Sequence, residues 1–127
     1  MDIFKQAPNS VVDGARVYIP EDWGQTSLLV RTDLALEYAD PDNQTWAALW
    51  DEKYAGRDTI SDFSCEAFAI AAIVLGYEPW TLTEEQRQKW ADLLRKQIPM
   101  NRMFTTSSTE KGQALASGEL VMAMHFR

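Results

Sequence analysis

The sequence predicts an α/β domain, a small mixed sheet flanked by helices, and three observations carry that expectation. Short β-prone runs recur at Val17-Tyr18-Ile19, Ser27-Leu28-Leu29-Val30, Asp58-Thr59-Ile60-Ser61 and Leu120 to Phe126. Between them lie stretches whose apolar residues return every three or four positions, the period of a helix with one buried face. Gly and Pro clusters separate the two kinds of segment, and such alternation is how βαβ-like units read in sequence.

The first sixteen residues are polar and hold Pro8, Asn9, Ser10, Asp13 and Gly14, so an irregular segment is expected over 1–16 and the folded part over 17–127. Pro20 stops the first β-run, and Gly24 after Trp23 marks a tight bend or a close approach of backbone. Asp40-Pro41-Asp42-Asn43 is a dense turn signal. After it, Trp46, Leu49 and Trp50 fall on one face of a short amphipathic helix that Gly56 is placed to stop. The stretch Ala67 to Leu75 has no polar residue, so the helix through it needs cover nearly all round before Gly76 ends it.

Thr83 followed by Gln86 fits a capping box, with Glu84 and Glu85 set against the positive end of the helix dipole. A helix over about 84–97 is expected, with Trp90, Leu93, Leu94 and Ile98 on its apolar side and Pro99 at its end. Met103-Phe104-Thr105 reads as a strand and Ser108 as the cap of a short helix to Ala116. Gly118 then breaks the chain before Leu120 to Phe126, whose near-continuous apolar run suits a strand buried on both faces.

Composition narrows the function. A chain of 127 residues, 46% hydrophobic and 24% charged, suits one globular domain over 1–127 with a single core. A net charge of -7 and the lack of any Lys/Arg cluster argue against neutralising phosphates, so no nucleic-acid partner is expected. No apolar run reaches the roughly 20 residues of a membrane helix, so membrane insertion is not expected. Met1 to Gln6 lacks the basic patch and apolar run of a secretory signal, which as written suits a cytoplasmic chain.

Cys65 is the one cysteine, so no intrachain disulfide is possible, and its apolar neighbours point to a buried structural thiol. His125, the one histidine, has no second His or Cys pair at ligand spacing. A metal, a cofactor and a Ser-His-Asp catalytic set are therefore all unexpected, and the scattered glycines form no phosphate-cradling loop.

Five motifs in order carry a resemblance. They are Ile19-Pro20-x-x-Trp23-Gly24-x-Thr26-Ser27; Thr45-Trp46-x-x-Leu49-Trp50-x-x-x-Tyr54-x-Gly56; Ser61-Asp62-x-x-x-Glu66-x-Phe68; Leu75-Gly76-Tyr77; and Ser117-Gly118-Glu119-Leu120 leading to Phe126. Together they resemble the second lobe of the polyamine-type (spermidine/putrescine-binding) solute-binding proteins of bacterial ABC transporters. The similarity covers roughly residues 11–127 and corresponds to the middle portion of a family member, without the first lobe or the export signal.

The resemblance implies one lobe of a periplasmic binding protein, whose two lobes close on ligand by a hinge motion. It implies no enzyme, a small-molecule solute such as a polyamine or similar amine, and an ABC permease as partner if the chain belongs to a full transporter component. Full-length relatives would be periplasmic. A free-standing module that pairs as a homo-oligomer through the surface left by the missing lobe is the alternative, because exposed apolar patches tend to become interfaces.

A polyamine presents ammonium groups on an apolar stem, so its site needs carboxylates and aromatic faces. The family's acidic positions fall on Asp62 and Glu66, which are one helical turn apart and would share a side of the first turn. The same two acids also fit an N-cap and a dipole partner, which need no ligand. Phe63 stands where the family often has a second acid, a departure that admits a less charged solute. Trp23 matches the crossover Trp, and Phe126 a ligand-stacking aromatic at the end of the last strand, although buried aromatics equally serve a core.

Overall fold

The computed structural model describes residues 10–19, 24–62 and 64–126. The N-terminal stretch expected to be irregular forms a hairpin, with β1 (Val11–Val12) antiparallel to β2 (Ala15–Arg16) and Val12 opposite Ala15. Asp13 (φ 50°) and Gly14 (φ 78°) between them both take the left-handed backbone that a two-residue hairpin turn requires. An Asp-Gly pair tolerates that conformation, so a short turn signal overrides the polar composition around it. Val17 to Ile19, expected as a strand, forms none. The Val17 amide is drawn back, donating to the Ser10 carbonyl at 3.0 Å.

Among the described residues the main sheet has three strands, β3 (Thr26–Val30), β4 (Asp58–Thr59) and β5 (Met122–Phe126), in the order β3-β5-β4. It is mixed, as expected: β5 runs antiparallel to β3 from Thr26 opposite Phe126 to Val30 opposite Met122, and parallel to β4 with Asp58 beside Met122. Because side chains alternate across a strand, Leu28, Val30, Met122 and Met124 share one face. They pack with Leu49, Tyr54 and Ile70 in one core cluster, while Ala123 joins Ala114, Leu115 and Leu120 on the other side. Met122, Ala123 and Met124 are thus buried on both faces of the sheet. Each fully buried Leu or Met contributes roughly 1.5–3 kcal/mol by leaving water.

The helix expected after the Asp-Pro turn is replaced by two 3-10 turns, Trp46–Trp50 and Glu52–Tyr54. Asp51 divides them: its backbone is extended and its carboxylate accepts the Lys53 amide, a local bond that competes with helix continuation. Three α-helices follow, α1 (Ser64–Val74), α2 (Glu84–Gln97) and α3 (Ser108–Ser117). The capping box of α2 is present in both directions, the Gln86 amide to Thr83 Oγ1 at 3.3 Å and the Thr83 amide to Gln86 Oε1 at 2.8 Å. The cap of α3 is Ser107 rather than Ser108, taking the Glu110 amide, and Gly118 closes the helix at φ 80°. Met103 to Thr105 forms no strand; its carbonyls accept single bonds from Thr59 Oγ1 and the Asp62 amide instead of a ladder.

Two expectations about α1 change. Only Ile70, Ala71 and Ala72 are buried, and Ile73 is half exposed, so the apolar stretch of α1 is covered on part of its circumference. Cys65 is exposed rather than buried, because the first turn of α1 lies ahead of the packed stretch. Two indoles tie α2 inward: Trp50 Nε1 donates to the Leu93 carbonyl at 2.9 Å and Trp90 Nε1 to the Phe68 carbonyl at 3.1 Å. Among the described residues no helix is long and apolar enough to cross a membrane.

Candidate functional site

Glu66 sits in the first turn of α1, where its backbone follows from the helix and its side chain turns toward the start of β3. Thr26 Oγ1 donates to Glu66 Oε1 at 3.3 Å, while Oε2 is buried without a hydrogen-bond partner among the described residues. A buried carboxylate oxygen left unpaired is costly, so it marks a place where a donor is missing. The hollow it lines has a volume of about 360 Å³ and is walled by Thr26, Trp46, Ile70, Ile73 and Trp80. An adjoining hollow of about 640 Å³ shares Thr26, Trp46 and Ile73 and adds Gln25, Ser27 and Gln44. Two indoles beside one carboxylate are what an organic ammonium ion needs, since the ring faces attract a cation and the acid pairs with it.

Lys111 of α3 is 2% exposed, and among the described residues its side chain makes no hydrogen bond or ion pair. Burial pushes its ammonium below the usual lysine range, and the Glu66 carboxylate acts in the opposite direction. The elements meet at one end of the sheet: His125 Nε2 contacts the Ser108 carbonyl of α3 at 3.1 Å, and its neighbour Phe126 lies opposite Thr26. The lone histidine is thereby engaged with backbone; its Nδ1 contacts the Phe126 carbonyl.

Asp62 does not join Glu66. The helix begins at Ser64, so Asp62 precedes it, exposed, and lines a separate hollow of about 200 Å³ with Ile60, Leu94, Gln97 and Phe104. Among the described residues the two hollows share no lining residue, so Asp62 and Glu66 open on different hollows rather than on one side of a helical turn as expected. Phe126 ends β5 opposite Thr26 and is 56% exposed rather than spent in the core, and among the described residues it lines neither hollow at Glu66. Trp23 and Phe63 lie outside the described residues.

Two residues that line the Glu66 hollow were not singled out for a site by the sequence: Trp46, which sat in a motif read as a core helix face, and Trp80, in the α1–α2 connection. A further apolar groove of about 560 Å³ runs between α1 and α2 beside Trp80, whose ring stacks on Phe68 at 5.5 Å.

A profile of the bacterial extracellular solute-binding proteins matches residues 2–126. The chain belongs to that family. Among solved structures, this solute-binding chain is similar to the Tp0655 (TpPotD) lipoprotein of Treponema pallidum, with 25% identity and a TM-score of 0.68 over 80% of this chain and 30% of that one. It is also similar to the spermidine/putrescine ABC transporter substrate-binding protein PotD of Streptococcus pneumoniae (21% identity, TM-score 0.69, 85% and 32% covered). An ABC transporter structure from Clostridium perfringens gives 17% identity and a TM-score of 0.64, with 81% and 31% covered. No curated protein sequence matches the chain. The solute-binding chain thus spans about a third of the solved proteins it matches, and its fold is that of part of a periplasmic binding protein, as the five motifs imply.

Proposed function

We propose that the chain forms one wall of a solute site and receives the ammonium group of a small amine at Glu66. The observation that carries this reading is the buried, unpartnered Glu66 oxygen inside a hollow faced by Trp46 and Trp80. An ammonium supplies the missing donor and the opposite charge, and its methylenes pack on the indoles. Family membership supports a small solute as the ligand class, and the likeness to the spermidine/putrescine substrate-binding protein of Streptococcus pneumoniae supports an amine. An ABC permease is the partner of this reading.

One wall excludes water poorly, so affinity of the chain alone is expected in the millimolar range, about 4 kcal/mol of binding energy. Titrating putrescine and spermidine into labelled protein should shift the indole signals of Trp46 and Trp80. Glu66→Gln should weaken that binding about tenfold with the fold unchanged, since a charge-assisted bond becomes a neutral one. Shifts that map elsewhere would remove the site, and submicromolar spermidine binding by the chain alone would contradict a single wall.

A further inference from the structure

Trp80 walls the Glu66 hollow from outside any helix or strand. It is the third residue of a turn over 78–81, which Pro79 pre-sets and the Thr81 amide closes on the Glu78 carbonyl at 3.3 Å. The turn fixes the backbone but not the ring, which is 68% exposed. A side chain free to change rotamer loses entropy when a ligand orders it, so an unrestrained indole makes a weak wall. Phe68 supplies the restraint. Its ring stacks on the Trp80 indole with centroids 5.5 Å apart and planes 19° apart, the one ring contact of Trp80 among the described residues. Phe68 is held in turn from α2: the Trp90 ring meets it at 4.6 Å and 55°, and Trp90 Nε1 donates to its carbonyl at 3.1 Å. Residues two apart on a helix do not share a face. Accordingly, among the described residues Phe68 lines the apolar groove and not the Glu66 hollow, whereas Trp80 lines both.

We infer that Phe68 is a positioning residue of the amine site: without touching the solute, it holds the Trp80 indole in place for the ammonium that Glu66 receives. This inference rests on the amine-binding reading of Glu66 given above. An indole attracts a cation only when the charge lies over its face, within about 6 Å of the ring centre, so the ring's orientation sets what it contributes. The stack takes one face of Trp80 and leaves the other without a ring partner among the described residues. Glu66 and the anchor of the indole leave α1 within one turn of each other, so carboxylate and aromatic wall are carried by the same rigid element.

Putrescine is titrated into the full chain with the Trp46 and Trp80 indole N–H signals as readout. Phe68→Leu keeps an apolar side chain beside α2 but no ring, and should weaken binding roughly threefold to tenfold, the span of one aromatic pair. Phe68→Tyr, which keeps the stack, should restore it. In a Trp80→Leu background, read on Trp46, Phe68→Leu should cause no further loss, because a residue that acts through Trp80 then has nothing to act on. Losses that add, or native affinity in Phe68→Leu, would overturn the inference. Nuclear relaxation of the native chain decides even if Phe68→Leu does not fold: the Trp80 indole should be as rigid as the helices, and a freely reorienting ring would rule the role out. Failure of putrescine to shift either indole of the native chain would instead sink the amine-binding reading of Glu66 and the role that rests on it, a distinguishable result.

Discussion

Asp58 opens β4 with no exposed surface; Gln97 Nε2 donates to its Oδ1 at 3.3 Å and Oδ2 has no partner among the described residues. Burial pushes its pKa up to about 7. The unfolded chain releases this proton near pH 4, so between about pH 4 and pH 7 the native state holds the extra proton. Stability from this group therefore falls as pH rises through that window and levels off above it. Asp58→Asn removes the ionisation. It should stabilise the protein on the order of 1–2 kcal/mol at pH 8 and hardly at all at pH 4. Thermal melts at the two pH values check this, and an equal change at both would mean that ionisation is not the cause.

At the scale of elements, α2 and α3 rest on terminal chemistry that can be removed singly. Thr83→Ala deletes one half of the capping box and should cost about 1 kcal/mol in a denaturant titration. Gly118→Ala should cost about as much for a different reason: its φ is 80°, whereas an added Cβ would meet only Leu34 Cδ1 at an ordinary 3.6 Å. These ends also explain what the sequence disclosed. The α2 boundaries follow from Thr83, Gln86 and Pro99, all local signals, and β5 from an apolar run too continuous for one-sided burial. The segment 46–54 carries helical spacing in Trp46, Leu49 and Trp50, yet Asp51 bends the backbone, and periodicity does not register one side-chain bond. The hairpin was hidden differently: its Asp13-Gly14 turn is flanked by strands only two residues long.

Across the whole molecule, the candidate site draws on β3, α1, the 46–50 turn and the α1–α2 connection. Glu66 was legible because an acid at that place in the motif is a chemical choice. Trp80 was not, since it stands in the connection between two helices, where no period assigns a residue to a face. Cys65 offers a check on the arrangement, because it is exposed and lines both the Glu66 hollow and the apolar groove beside Trp80. A maleimide should label it in the native protein, and saturating solute should slow the labelling several-fold. An unchanged rate at saturation would place the solute elsewhere.

The position of β5 has a consequence for how the chain is made. It is the middle strand of the sheet, yet it follows every other element in sequence, and both β3 and β4 pair with it. A ribosome delivers β3 and β4 long before the strand that joins them. Until residues 122–126 emerge, Leu28 and Val30 have no neighbouring strand, and the sheet closes only through contacts distant along the chain, which form slowly. During that interval the nascent chain carries bare strand edges, the condition under which a holding chaperone matters most.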